Sequence, residues 1–316
     1  MGINKLNTKA LSPTHAIMGV DLDGNTVSME IGSGPHWIIC GQTGSGKSVT
    51  VNSILISMMY HAIPNDELII TWVDPKKVEA TAYIGCPFCP IDPVTDMGDA
   101  FGLMQYLTWE MDRRYEDLSA VNAKKIADFN DWVEEHPQEA KAKNLKKMPY
   151  WVVVIDEYAD MVMQTKEVET PIVRLAQKSR AAGIHLMIAT QRPSVDIITG
   201  TIKANIPARI AMKVADSNNS MIIMDEPGAE NLRGYGDSYI KTTTEFVRVQ
   251  FPFVTDGEIA KIMEYLQKEY PQPDPIDYKT VVVQEGLCAW AEEYDEDVPM
   301  EKRHVVKPGR RHSFDR

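Results

Sequence analysis

One run of eight residues, 41–48, could bind the phosphates of a nucleotide. It reads Gly-Gln-Thr-Gly-Ser-Gly-Lys-Ser and directly follows the apolar residues 37–40. The glycines let the backbone wrap so closely that successive N–H groups point at phosphate oxygens; Lys47 can reach the β- and γ-phosphates, and the Ser48 hydroxyl can ligate Mg²⁺. A chance glycine-rich turn is the alternative, but the strand expected before the run favours a nucleoside triphosphate site. The predicted nucleotide-binding residues are Gly41, Gln42, Thr43, Gly44, Ser45, Gly46, Lys47, Ser48 and Val49.

Two adjacent acids, Asp156 and Glu157, follow the apolar run 151–155. Beside a phosphate loop, Asp156 can hold Mg²⁺ directly or through water, and Glu157 can polarise the water that attacks the γ-phosphate. Two acids that merely begin a helix, where they favour its dipole, are the alternative. Because the phosphate loop upstream is intact, we favour the catalytic interpretation.

Two further polar residues lie around the next apolar run, 185–190. Gln191 ends this run, where its side chain could sense the γ-phosphate and orient the attacking water. Arg180 precedes the run on a predicted helix and could stabilise transition-state charge on the nucleotide of a neighbouring subunit, as arginine fingers do. A solvated helix end is an equally good interpretation of Arg180, and Arg209 would then be the alternative finger.

Strands and helices that alternate along the chain must position these residues. Apolar runs at 68–73, 151–155, 185–190 and 208–214 predict buried strands, and helices are expected over 48–60 and 97–118. Residues 17–28 and 238–249 are predicted hairpins. The pattern predicts an α/β fold with a mostly parallel central sheet flanked by helices, and it places ligands at the carboxyl ends of the strands.

Composition narrows the class of protein. The chain has 316 residues, of which 44% are hydrophobic and 25% charged, as in soluble globular proteins. It lacks both a signal peptide and an apolar stretch near the roughly 20 residues that a bilayer needs, so we expect a cytoplasmic protein without a membrane segment. Cys86 and Cys89 have metal-ligand spacing, but no second pair completes a tetrahedral site, which leaves a plain loop or zinc or redox chemistry open. A net charge of −12 excludes a generally basic surface, so any nucleic-acid contact must be local.

The sequence predicts three regions. Residues 1–34 form a short lead-in with a hairpin, and residues 35–270 form the nucleotide-binding domain. Prolines at 271, 273 and 275 open a linker, followed by an acidic stretch and a basic tail that reaches residue 316. The tail is either a flexible end or an arm that docks DNA or a recruiting partner.

Several strings resemble those of the FtsK/SpoIIIE family of DNA translocases. The longest, at 174–185, reads Arg-Leu-Ala-Gln-Lys-Ser-Arg-Ala-Ala-Gly-Ile-His. Shorter ones lie at 35–36, 74–76, 110–115, 156–160, 189–196, 198–200, 202–207, 228–230 and 234–237. The resemblance extends over residues 17–265. It implies a RecA-like P-loop NTPase motor that assembles as a hexameric ring, hydrolyses ATP between subunits and pulls double-stranded DNA through a central channel.

Position by position, the resemblance assigns phosphate and Mg²⁺ binding to Lys47 and Ser48, the metal and catalytic acids to Asp156 and Glu157, the sensor to Gln191 and the finger in trans to Arg180. The implied cofactors are ATP and Mg²⁺. Lys166, Arg192 and Lys203 fall in segments that face the channel in this family. They would contact DNA phosphates without reading sequence, so a few cations per subunit would give an acidic protein a positive pore.

The chain also departs from the family pattern. Met221 stands where the family commonly has an arginine near the subunit interface or channel. Little sequence precedes the predicted motor, and the segment after it is too short for a winged helix, which indicates a motor domain alone, as in a phage or another mobile element. Two alternatives stay open: a related ring ATPase that couples single-stranded DNA transfer or protein secretion, and a non-processive ATP-gated assembly module. Glu157 argues against the module, which has no need of a water-activating carboxylate.

Overall fold

One mixed sheet runs through the protein. The computed structural model describes residues 11–32, 34 and 36–287. Its strands are β1 (His15–Val20), β2 (Thr26–Glu30), β3 (Trp37–Cys40), β4 (Leu68–Val73), β5 (Tyr150–Ile155), β6 (Ile184–Thr190), β7 (Ala208–Met212), β8 (Asp237–Lys241) and β9 (Phe246–Gln250). They lie in the order β2-β1-β9-β8-β7-β3-β6-β5-β4.

The sheet has a parallel core and an antiparallel extension. Strands β7, β3, β6, β5 and β4 pair in parallel, and β8, β9, β1 and β2 continue the sheet in antiparallel pairs. The core strands β3 to β7 are buried along their whole length, apart from the first residue of β5, because helices cover both faces. This confirms the predicted α/β class. Both predicted hairpins form, and the first joins the sheet through a pairing of Val20 with Gln250.

Helices on the two faces enclose two apolar cores. The helices are α1 (Lys47–Met59), α2 (Met97–Ala120), α3 (Ile126–Glu135), α4 (Pro137–Ala142), α5 (Tyr158–Gln164), α6 (Glu169–Lys178), α7 (Gly200–Asn205), α8 (Ser217–Met224), α9 (Asp256–Glu269) and α10 (Tyr278–Gln284). On one face, α1 and α9 bury Leu55, Met58 and Ile259. On the other, α2 and α6 bury Leu107 and Leu175. The sheet is therefore a rigid platform between two packed layers.

Helix α10 lies in the segment that the sequence predicts to be a linker. Its Tyr278 and Val282 are buried in the core that α2 lines, and Lys279 pairs with Asp99 at 2.7 Å. Just before the helix, Ile276 N donates to the Pro90 carbonyl at 2.9 Å. The first part of the predicted linker is thus fixed against the domain, whereas the predicted acidic stretch and basic tail lie outside the described residues. No described helix combines the length and apolarity needed to cross a membrane.

Candidate nucleotide-binding site

The phosphate loop lies between β3 and α1 and is fixed from one side by a neighbouring turn. Gly44 and Gly46 have φ angles of 80° and 100°, in the left-handed region that glycine adopts without cost. A Cβ on Gly46 would lie 2.8 Å from the Gly236 nitrogen, so no larger residue fits there. The same nitrogen donates to the Ser45 carbonyl at 2.9 Å. The loop is therefore preformed as a concave backbone that opens at the N-terminus of α1, as anion binding requires.

Lys47 and Asp156 meet in the floor of this concavity. The Lys47 ammonium pairs with the Asp156 carboxylate, and the two residues are 4% and 5% exposed. Ser48 follows Lys47 in the first turn of α1. A buried carboxylate and a hydroxyl beside a phosphate loop are the oxygen ligands that Mg²⁺ prefers, so Ser48 and Asp156 fit the predicted metal site.

Glu157 occupies a strained position at the end of β5. Its φ of 61° puts a non-glycine residue in the left-handed region, and the residue is 1% exposed. Thr190 Oγ1 donates to its carboxylate at 2.8 Å, and Lys76 Nζ at 3.0 Å. Burial raises the pKa of Glu157, but the hydrogen bonds from Thr190, Lys76 and the Gln191 backbone outweigh it and hold the pKa below its ordinary value. Glu157 is thus an ionised carboxylate in a fixed orientation, suited to accept a proton from water.

Gln191 links the phosphate loop to Glu157. Its side-chain oxygen accepts a hydrogen bond from Thr43 Oγ1 at 2.8 Å, and its backbone nitrogen donates to Glu157 at 3.1 Å. A residue that touches both groups can respond to a phosphate bound between them. The structure therefore brings together Lys47, Asp156, Glu157 and Gln191 as the sequence predicts.

Arg180 lies at the opposite edge of the sheet. It is exposed in the turn before β6, whereas Gln191 follows the last residue of that strand. The charge of Arg180 acts on His36, which precedes β3. Burial lowers the pKa of His36 to about 3, and the charges of His185 and Arg180 contribute to that shift. The alternative finger, Arg209, is buried and bonds to Asp225 and, at 3.0 Å, to the Ile223 carbonyl. Arg209 is therefore tied into its own domain.

Comparison with known proteins identifies the family. A model of the FtsK/SpoIIIE family matches residues 4–195. The chain belongs to the FtsK/SpoIIIE family. It is 42% identical over 274 residues to the DNA translocase FtsK of Vibrio parahaemolyticus. The aligned region covers 81% of this chain and 27% of that protein. The FtsK of Bacillus cereus is 43% identical over 265 residues, with 82% and 33% covered. The chain thus spans between about a quarter and a third of the length of these FtsK relatives.

Solved structures confirm the RecA-like P-loop NTPase fold. The pCW3 conjugation coupling protein TcpA, in a monomer form with ATPγS, is 27% identical and superposes with a TM-score of 0.70 over 82% of this chain and 71% of TcpA. The cytoplasmic domain of the type VII secretion ATPase EccC from Thermomonospora curvata is 22% identical, with a TM-score of 0.72 over 85% of this chain and 34% of EccC. The EccC likeness shows a shared fold.

The cations expected to face DNA in this FtsK/SpoIIIE chain are in different environments. Lys166 and Arg192 are exposed, and the Arg192 guanidinium lies 3.9 Å from Asp160. Lys203 pairs with Asp225, which also binds Arg209. The DNA contacts predicted for Lys166, Arg192 and Lys203 therefore stay hypotheses, and Lys203 has the closest intramolecular partner of the three. The substituted position, Met221, is 47% exposed on α8.

Several residues near the site carry no role in the sequence-based prediction. Lys76 and Thr190 hold Glu157 from two directions. Lys213 follows β7, and its carbonyl accepts from Gln42 N at 2.9 Å. Tyr235 lies in the turn that contacts the phosphate loop. One signal could have pointed to Lys76, because Asp74-Pro75-Lys76 follows β4 at the same edge where Asp156 and Glu157 follow β5.

Proposed function

We propose that this chain is the motor of an ATP-dependent double-stranded DNA translocase that acts as a hexameric ring in the cytoplasm. The observation that carries the proposal is the environment of Glu157. This buried, ionised carboxylate is held beside the paired Lys47 and Asp156 by Thr190, Lys76 and Gln191. A module that only binds nucleotide has no use for a strained, oriented base.

The geometry supports a division of labour in ATP hydrolysis. The backbone of the phosphate loop and Lys47 bind the β- and γ-phosphates. Ser48 and Asp156 would hold Mg²⁺, which would supply positive charge to neutralise the phosphates. Glu157 accepts the proton of the attacking water. Gln191, in contact with Thr43 of the loop, orients that water and reports the presence of the γ-phosphate.

The position of Arg180 supports catalysis between subunits. An arginine at the opposite edge of the sheet cannot reach the nucleotide of its own subunit, so a catalytic role requires a second copy. A head-to-tail ring supplies that arrangement, because it places one edge of each subunit against the other edge of the next. The ring and its six subunits are part of the proposal.

The identity of the cargo rests on two supports. The relatives that are 42% and 43% identical are DNA translocases by name, and the chain exposes Lys166 and Arg192 although its net charge is −12. Phosphate contacts from a few repeated cations suit a motor that runs along any sequence. A second candidate is the transfer of single-stranded DNA, favoured by the likeness to the conjugation coupling protein TcpA.

Steady-state ATP hydrolysis tests the proposal. The purified chain is assayed without DNA, with long duplex DNA and with single-stranded DNA of equal nucleotide concentration. Glu157→Gln is the blank, and Glu264→Gln, which changes an exposed carboxylate on α9, is the matched control. We expect strong stimulation by duplex in the wild type and in Glu264→Gln, and turnover reduced by at least about 10²-fold in Glu157→Gln.

Each other outcome selects a different function. Stimulation by single strands alone would indicate the transfer of single-stranded DNA. Hydrolysis that responds to neither DNA would point to another cargo, such as a secreted protein. If Glu157→Gln hydrolysed ATP like the wild type, the site described above would not be the catalytic one.

A further inference from the structure

Tyr235 combines high exposure with a strained backbone next to the phosphate loop. Its side chain is 86% exposed, and its φ is 54°, in the left-handed region that bulky residues avoid. An aromatic ring in such a position contributes little packing within its own domain. Strain in a residue without a packing role is a reason to look for a functional one.

The turn that carries Tyr235 is rigid. Gly234 and Gly236 flank it with φ angles of 84° and 89°. Gly236 N donates to Ser45 O of the phosphate loop at 2.9 Å, and Phe251 N donates to Gly236 O at 2.9 Å. Gln250 Nε2 donates to the Tyr235 carbonyl at 2.8 Å. The ring is therefore presented at a fixed place beside the nucleotide site, although its side chain is in solvent.

The order of the strands in the sheet indicates which part of a bound nucleotide would lie next to the Tyr235 turn. The phosphate loop follows β3, and the groups suited to the γ-phosphate, Glu157 and Gln191, follow β5 and β6 on one side of it. Lys213 and the Tyr235 turn lie at the same edge on the other side, at the end of β7 and the start of β8. A nucleotide whose γ-phosphate lies near Glu157 must extend its nucleoside away from Glu157, toward β7 and β8.

We propose that the Tyr235 ring is the platform on which the base of the bound nucleotide stacks. The inference rests on the proposed function, because it uses the same phosphate site. An aromatic face contributes stacking without reading the hydrogen-bonding edge of the base. Tyr235 thus gives preference for the large purine bases and does not separate adenine from guanine. The half-buried Lys213, which has no ion-pair partner among the described residues, lies on the same side and is available to the phosphates nearest the nucleoside.

Binding measurements separate the contribution of the base to affinity from the contribution of the phosphates. Isothermal titration calorimetry in the presence of Mg²⁺ gives the Kd of ATPγS and of inorganic tripolyphosphate. It is measured for the wild type, Tyr235→Ala and Tyr235→Phe. Tyr265→Ala, which removes an exposed tyrosine from α9, is the matched control. We expect Tyr235→Ala to weaken ATPγS binding by about 5-fold to 100-fold, the range of one base–aromatic stack. Tyr235→Phe, Tyr265→Ala and all tripolyphosphate affinities should stay close to wild type.

A spectroscopic readout reports stacking itself. The triphosphate of 2-aminopurine riboside loses fluorescence when its base stacks on an aromatic ring. Its emission should be quenched on the wild type and on Tyr235→Phe, and much less on Tyr235→Ala.

Three results would overturn the inference. The first is ATPγS affinity and quenching in Tyr235→Ala equal to wild type. The second is an equal loss of ATPγS and tripolyphosphate affinity in that variant, since this would assign Tyr235 to the shape of the phosphate loop. The third is a wild type that binds neither probe, and this result alone would also remove the proposed function.

Discussion

At the scale of single residues, the hydrogen-bond partners of Glu157 set its pKa and its orientation. A carboxylate whose pKa is held below its ordinary value is ionised at neutral pH, so it is ready to accept a proton but is a weaker base. Two of its three hydrogen-bond partners, the Thr190 hydroxyl and the Gln191 backbone nitrogen, lie at the end of β6. The third, Lys76, comes from a separate segment after β4 and is exposed, so it can be changed with little effect on the core.

Lys76→Ala should move the acid limb of the pH profile of ATP hydrolysis to higher pH. Glu157 must be ionised to act as a base, so activity is lost as the pH falls through its pKa. Lys76 lowers that pKa through its hydrogen bond and its charge, and removing Lys76 therefore raises it. The measurement is kcat as a function of pH at saturating ATP.

The matched control for this prediction is Lys77→Ala. Lys77 is the next residue along the chain, is exposed and forms no ion pair in the described part of the structure. Its variant should keep the wild-type profile. An acid limb that is the same in Lys76→Ala and in the wild type would show that another group sets the lower pH limit.

At the scale of elements, strand β6 separates two predicted catalytic residues. The strand has 7 residues and is therefore about 23 Å long at roughly 3.3 Å per residue, and Arg180 and Gln191 lie beyond its opposite ends. Both residues are on the predicted catalytic list, yet one nucleotide cannot contact both within a single subunit. Either Arg180 has no catalytic role, or the site is completed by a neighbouring copy.

A mixing experiment decides between these possibilities. Arg180→Ala alone should lose hydrolysis by roughly 10³-fold, the scale of an arginine finger, and Lys47→Ala alone should be inactive because it cannot bind the phosphates. In an equal mixture of the two, about one quarter of the interfaces in a head-to-tail ring pair an intact Lys47 with an intact Arg180 of the neighbouring copy. We therefore expect activity to return in the mixture and to follow the mixing ratio.

The matched control for the mixing experiment is Lys178→Ala. Lys178→Ala removes an exposed positive charge two residues before Arg180 and should hydrolyse ATP normally, alone or in mixtures. If Arg180→Ala were as active as wild type at concentrations where the protein is assembled, Arg180 would be a solvated helix end. If the mixture stayed inactive, Arg180 would act only within its own subunit and not on the nucleotide of a neighbouring copy.

The elements also show what the sequence could predict. Strands β4, β5 and β6 are continuous apolar runs, and each ends in the polar residues of the site, so local pattern was enough to place Asp156, Glu157 and Gln191 at one sheet edge. Contacts between distant segments were not readable in this way. The sequence does not reveal that α10 packs on α2, or that Asp225 pairs with Lys203, 22 residues away. Such contacts depend on the tertiary fold, which periodicity does not encode.

At the scale of the whole molecule, the proposed function requires an acidic protein to hold DNA. The net charge of −12 opposes non-specific binding, so affinity for DNA must come from a few local cations. Of the three residues predicted to contact DNA, Lys166 and Arg192 are exposed, whereas Lys203 pairs with Asp225 and would have to exchange that partner for a phosphate. Repetition in a ring would multiply the two exposed residues into a positive channel.

The double variant Lys166→Ala/Arg192→Ala should weaken the stimulation of ATP hydrolysis by duplex DNA and reduce its salt dependence. Each lost phosphate contact flattens the plot of log affinity against log salt by about 0.9. The measurement is the concentration of DNA that gives half-maximal stimulation, determined at several salt concentrations. Lys141→Ala/Lys146→Ala is the matched control, because it removes the same charge from exposed residues that precede β5, at the opposite sheet edge. Equal slopes in the two double variants would show that Lys166 and Arg192 do not contact DNA and that binding uses another surface of the ring.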